Sequence, residues 1–127
     1  MIWLLDVSTL LAWLWQDHEH HDRVLEWSSG KPVATCPFTD LGFLRISTQP
    51  VFGATVSQAR EMLADWHHRA RPKHLPCDLR ALDSAPASGG AKTTDYYLAS
   101  LAAKHRMKWA TLDENVVHPA AFVVPAL

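Results

Sequence analysis

The chain has 127 residues, 48% of them hydrophobic and 20% charged, with a formal net charge of −1. That is one domain with a real core, and it excludes a disordered chain. Near-neutral charge also excludes a surface built wholly on attraction to nucleic acid, so any such binding must be local or bridged by a cation.

Ile2 to Leu5 are apolar and run directly into Asp6, Ser8 and Thr9 and then a helical pattern from Leu10 to Trp15. A short apolar run followed at once by a helix reads as a buried strand of a parallel sheet. Asp6 then stands at the strand's carboxyl end, where open α/β folds place their sites, although an Asp-x-Ser turn capping the helix accounts for it equally well. The run is interrupted by Asp6 and preceded by no basic segment, so it does not read as a signal peptide. No stretch approaches the roughly 18 apolar residues of a membrane span. Cys36 and Cys77 form no CxxC pair and suggest a reducing cytoplasm.

A second short helix is expected from about Glu19 to Ser28, with Val24 and Trp27 on its apolar side. His18, His20 and His21 precede it at a spacing that fits no common zinc pattern, which favours a solvated loop. Pro32 to Cys36 is the second buried strand. Pro37 suits the first turn of the next helix, Asp40 falls in that turn, and Phe38, Leu41, Leu44 and Ile46 form its expected apolar side. After a loop from Gln49 to Thr55, a third clear helix carries Ala59, Leu63, Trp66 and Ala70 at helical spacing, opposite Arg60, Glu61, Asp65 and His68.

Lys73 to Pro76 reads as a short edge strand, since prolines belong on edges. A weak helix near Leu79 to Ser84 leads into the flexible stretch Ala85 to Gly90. Thr93 or Thr94 is expected to cap a strong helix reaching His105, with Asp95 in its first turn. Lys108 to Leu112 is the next strand with Asp113 at its end, and Phe122 to Val124 the last.

Alternating strands and helices predict a parallel sheet with right-handed crossovers and helices on both faces. Strand ends and first helical turns share one edge of such a sheet, and Asp6, Asp40, Asp95 and Asp113 occupy them. Asp17, Glu19, Asp22, Glu26, Glu61 and Asp65 lie in loops or on polar faces, and Asp78 and Asp83 stay open. Clustered carboxylates repel one another, and a hard divalent cation relieves this. Such a site suits phosphodiester hydrolysis, and no GxSxG or P-loop offers another chemistry.

The segments Leu4 to Leu11, Thr39 to Arg45, Thr93 to Ala99 and Thr111 to Asp113 also resemble PIN-domain ribonucleases, above all the VapC-type toxins of bacterial type II toxin–antitoxin systems. The resemblance spans nearly the whole chain, including Ser88 to Gly90. It implies a three-layer α/β/α domain with a five-stranded parallel sheet in the order 3-2-1-4-5. It also implies Mg²⁺- or Mn²⁺-dependent cleavage of an RNA substrate, inhibition by a cognate VapB-like antitoxin, and a homodimer. By position, Asp6, Asp40, Asp95 and Asp113 would be the catalytic acids, with Asp6, Asp95 and Asp113 as metal ligands and Ser8 and Thr111 as supporting hydroxyls. Asp40 stands where the family more often has Glu, one methylene longer, so a direct metal bond there would become water-mediated. The early helices and the fourth would seat the antitoxin, presenting Trp13, Trp15, Trp27 and Trp66 as anchors. Two other classes compete: a silent PIN-fold interaction module, and a phosphatase or receiver-like domain. The latter would want a second acid where Ser8 stands.

Overall fold

The first strand explains the architecture, because its consecutive side chains point to opposite faces. Leu4 packs into one buried cluster and Leu5 into another. The neighbouring strands divide the same way: Val33 and Ala110 join Leu5, while Ala34 and Trp109 join Leu4. A sheet buried on both faces needs helices on both, and the computed structural model, which describes residues 1–127, has that arrangement.

The elements in order are β1 (Trp3–Leu5), α1 (Val7–Leu14), α2 (His21–Ser28), β2 (Val33–Thr35), α3 (Pro37–Ser47), α4 (Val56–Ala70), β3 (Lys73–His74), α5 (Thr93–Lys104), β4 (Lys108–Thr111) and β5 (Ala121–Val123). All pairings are parallel and the sheet runs β3-β2-β1-β4-β5, as expected. Helices α1, α2 and α4, with Phe43 of α3, cover the Leu5 face, and α5 covers the Leu4 face. Cys36 is buried, Cys77 is exposed, and neither is bonded to the other. No helix is long and apolar enough to cross a membrane.

Three local expectations are corrected. Helix α3 does not turn Phe38 and Leu41 inward; they are 47% and 63% exposed, and Thr39, Phe43 and Ser47 are buried instead. The polar pair on that stripe is satisfied: Thr39 donates to the Leu5 carbonyl at 2.8 Å, and Ser47 accepts from the Trp15 indole at 3.0 Å. Those bonds select a face that hydrophobicity alone does not.

Helix α5 is not capped by a threonine. It is entered through a 3₁₀ turn, Gly90–Lys92, so that Lys92 occupies the capping position without a side-chain cap.

Trp27 and Trp66 are not surface anchors. Trp66 is fully buried with its ring edge-on to Trp13 at 5.3 Å, and Trp27 packs between Trp3 and Phe122 at 5.9 Å from each. Indoles facing the sheet are the largest apolar groups available to fill it, and burial claims them. Trp13 and Trp15 remain partly exposed.

Candidate acidic centre at the carboxyl edge of the sheet

Asp6 follows the last residue of β1 and caps α1, its Oδ1 accepting from the Val7 backbone N–H at 2.8 Å. Capping and membership of an acidic site are therefore the same geometry. The other oxygen, Oδ2, accepts from the Ser8 and Thr111 hydroxyls, each at 2.9 Å. Thr111, fully buried at the end of β4, also accepts from the Asp113 backbone N–H at 3.1 Å through its Oγ1. One threonine thus ties the ends of β1 and β4 together.

Asp6, Asp95 and Asp113 line one cavity of about 300 Å³ with Val7, Ser8, Leu11 and Ile46. Burial, with Asp95's charge beside it, pushes the Asp6 carboxyl up to about 6 despite the three hydrogen bonds that favour its ionised form. Asp95 is also raised, by burial and then by Asp113. Asp113 is lowered, because Lys92 and the Asn115 backbone N–H both donate to it. Lys92 Nζ lies 2.5 Å from Asp113 Oδ2 and is the nearby positive charge that partly offsets the repulsion.

Asp40 lines a different cavity, of about 490 Å³, with Ser57, Arg60, Glu61, Leu63, Ala64 and His67. Its Oδ2 is 3.0 Å from His67 Nε2 of α4. Burial raises its carboxyl, with His67 opposing. Three of the four acids share one cavity, and Asp40 lines the other. The side chain of Asp40 is short, and the imidazole beside it takes up one oxygen.

Two residues of this edge were missed in the sequence. Lys92 could have been found, since it lies three residues before Asp95, one helical turn away. His67 could not, because its partner Asp40 lies 27 residues away in the chain. His18, His20 and His21 line neither of these two cavities; His21 bonds the Ala12 carbonyl at 2.8 Å.

The donor set of the smaller cavity is all oxygen, and two of its carboxyls are raised by burial and mutual charge. The raised carboxyls favour a bound cation, and the all-oxygen donors fit a hard divalent ion better than an imidazole- or thiolate-loving one.

The sheet order and this acidic edge define a PIN-type α/β domain. No family model matches the sequence. The chain is 32% identical to ribonuclease VapC44 of Mycobacterium tuberculosis over 123 residues, which cover 89% of this chain and 87% of that protein. From the same organism, ribonuclease VapC38 is 33% identical (89% and 86% covered) and ribonuclease VapC29 is 32% identical (91% and 88% covered). Among solved structures, VapBC2 from Rickettsia felis, bound to a DNA fragment from its promoter, shares the fold. Its TM-score is 0.64 at 13% identity, with 97% of each chain covered. The chain belongs to the VapC family of PIN-domain ribonuclease toxins.

Proposed function

We propose that this protein is a metal-dependent endoribonuclease toxin that cleaves RNA phosphodiesters at the Asp6, Asp95 and Asp113 pocket and is silenced by a cognate antitoxin. The observation that carries this reading is the convergence of three carboxylates in one cavity, two of them pushed towards protonation by burial and by their neighbours. Mg²⁺ or Mn²⁺ would be held by these acids, supplying positive charge against the scissile phosphate and the charge that develops in the transition state.

The chain's own groups have distinct parts. Ser8 and Thr111 fix the Asp6 carboxylate, so its orientation is set before any ion arrives. Asp95 presents its acid from the first turn of α5, where the helix dipole favours negative charge. Lys92 pairs with Asp113 until a cation replaces it. Asp40 adds an acid from the neighbouring cavity and stays outside the ligand set.

The antitoxin reading rests on Trp13 and Trp15. Trp15 lines a cavity of about 330 Å³ with Asp17, His18, Glu19, Val51 and Phe52, and Trp13 one of about 220 Å³ with Leu14, Gln16, His21, Leu25, Trp66 and Arg69. Half-buried aromatics over concave pockets suit the centre of a protein interface.

The test sets structured RNA beside a generic phosphomonoester, each incubated with the purified protein and Mg²⁺ or Mn²⁺. Cleavage of the RNA alone, abolished by EDTA, supports the proposal. Turnover of the phosphomonoester, or cleavage indifferent to EDTA, contradicts it.

A further inference from the structure

Asp40, His67 and His74 come from α3, α4 and the edge strand β3, and each offers one ligand atom within 4.8 Å of the others. Asp40 Oδ2 and His67 Nε2 are 3.0 Å apart, and the His67 and His74 rings stack at 4.8 Å between centroids. The remaining Asp40 oxygen, Oδ1, is buried and makes no close hydrogen bond, with the buried Thr35 hydroxyl, also unpaired, a polar neighbour that favours the carboxylate's charge. A buried carboxylate oxygen left unpaired is costly, and its presence beside two imidazoles marks a place where a cation would be favourable.

We propose that these three side chains form a second metal site, distinct from the acidic pocket, that binds a borderline divalent ion of the Zn²⁺ class. Two imidazoles and one carboxylate suit Zn²⁺ far better than Mg²⁺, which demands oxygen ligands. Bond lengths near 2.1 Å around a tetrahedral ion place its ligand atoms about 3.4 Å apart, so Asp40 and His67, now 3.0 Å apart, open slightly and the trio otherwise needs only a modest contraction. His74 supplies it, being exposed on a two-residue edge strand where its ring can swing. Asp40 and His67 also line the 490 Å³ cavity, which leaves a fourth position open to water or a ligand. An ion here joins α3 to α4 and β3 and holds Asp40 beside His67.

The test is titration of the whole protein with Zn²⁺ by calorimetry in excess Mg²⁺, with Co²⁺ as a spectroscopic substitute. One Zn²⁺ per chain is expected, with visible d–d bands for Co²⁺ and a rise in melting temperature. His74→Gln, on the exposed edge, changes a ligand and loses only its stacking on His67, leaving the buried core untouched. It should weaken binding by more than the roughly 10–100-fold that losing a hydrogen bond to a metal ligand costs. His67→Gln should do the same, whereas Asp95→Asn and the triple replacement of His18, His20 and His21 by Gln should keep the ion. Absence of binding, binding that survives both His67→Gln and His74→Gln, or loss in the triple variant overturns the proposal.

Discussion

The ammonium of Lys92 lies 2.5 Å from Asp113 Oδ2, inside an otherwise acidic edge. It keeps Asp113 ionised and lowers the cost of charging Asp95. The same contact competes with any cation that the acids would take. Lys92→Met should therefore tighten Mn²⁺ binding and lower the metal-free melting temperature at neutral pH. Thermal melts across a Mn²⁺ titration read both effects, and weaker Mn²⁺ binding in the variant would show that Lys92 does not compete.

A pH dependence follows from Asp6. Its carboxyl sits at about 6 in the fold, against about 3.9 in an unfolded chain. The folded state thus holds this proton more tightly. The stability it contributes is fully present below about pH 3.9 and is lost as pH rises through about 6, a swing of about 3 kcal/mol. Asp95 and Asp40, raised as well, act in the same direction, and Asp113, lowered, acts against it. In EDTA the protein should become less stable between pH 4 and 7 on account of these acids, and Asp6→Asn should flatten that slope. Urea unfolding at several pH values measures it, and an unchanged slope in Asp6→Asn would contradict the assignment. Mg²⁺ should restore more stability at pH 7 than at pH 5, since protons and cation compete for the same oxygens.

Gly42 lets α3 approach the start of α1. A Cβ there would stand 2.5 Å from Val7 Cγ2 and 3.0 Å from Cγ1, and Val7 directly follows Asp6. Valine is stiff at χ1 and has little room to yield. Gly42→Ala should lose about 1–3 kcal/mol to overpacking, less the roughly 1 kcal/mol that Ala gains over Gly in a helix. Displacement of Val7 should also disturb Asp6, so metal affinity should fall along with stability. A variant as stable as the parent, with unaltered Mn²⁺ affinity, would mean that α3 has slack.

Trp15 and Trp66 should separate docking from folding. Trp66 is fully buried, and Trp66→Ala should cost about 3–5 kcal/mol of stability. Trp15, half-buried over its cavity, should on replacement by Ala weaken antitoxin binding by about 2 kcal/mol while RNA cleavage persists. The replacement should also cost about 1 kcal/mol of stability, because the buried Ser47 hydroxyl loses its indole donor. Fluorescence titration with the purified antitoxin measures the binding, and an unchanged affinity places the interface elsewhere.

The sheet was legible because strand and helix periods differ and because Asp6 and Asp113 end apolar runs. Burial on both faces leaves few other ways to arrange such segments. The inward face of α3 was not legible, because it is chosen by hydrogen bonds from Thr39 and Trp15 to partners distant in the sequence. For the same reason three acids could be gathered from their places at strand ends and first turns, but Asp40's turn towards His67 could not be read. That depends on one methylene and on a histidine 27 residues away. The tryptophans misled because composition counts indoles without saying which way each one faces.

The central claim is that Asp6, Asp95 and Asp113 work as one cation-dependent centre. The most direct test compares single-turnover RNA cleavage by the parent protein and by Asp95→Asn at saturating Mn²⁺, with circular dichroism confirming that both are folded. Asp95→Asn should fold as well as the parent or slightly better, because one repelling charge is gone, and should cleave no RNA. Cleavage by a folded Asp95→Asn at close to the parent rate would contradict the account.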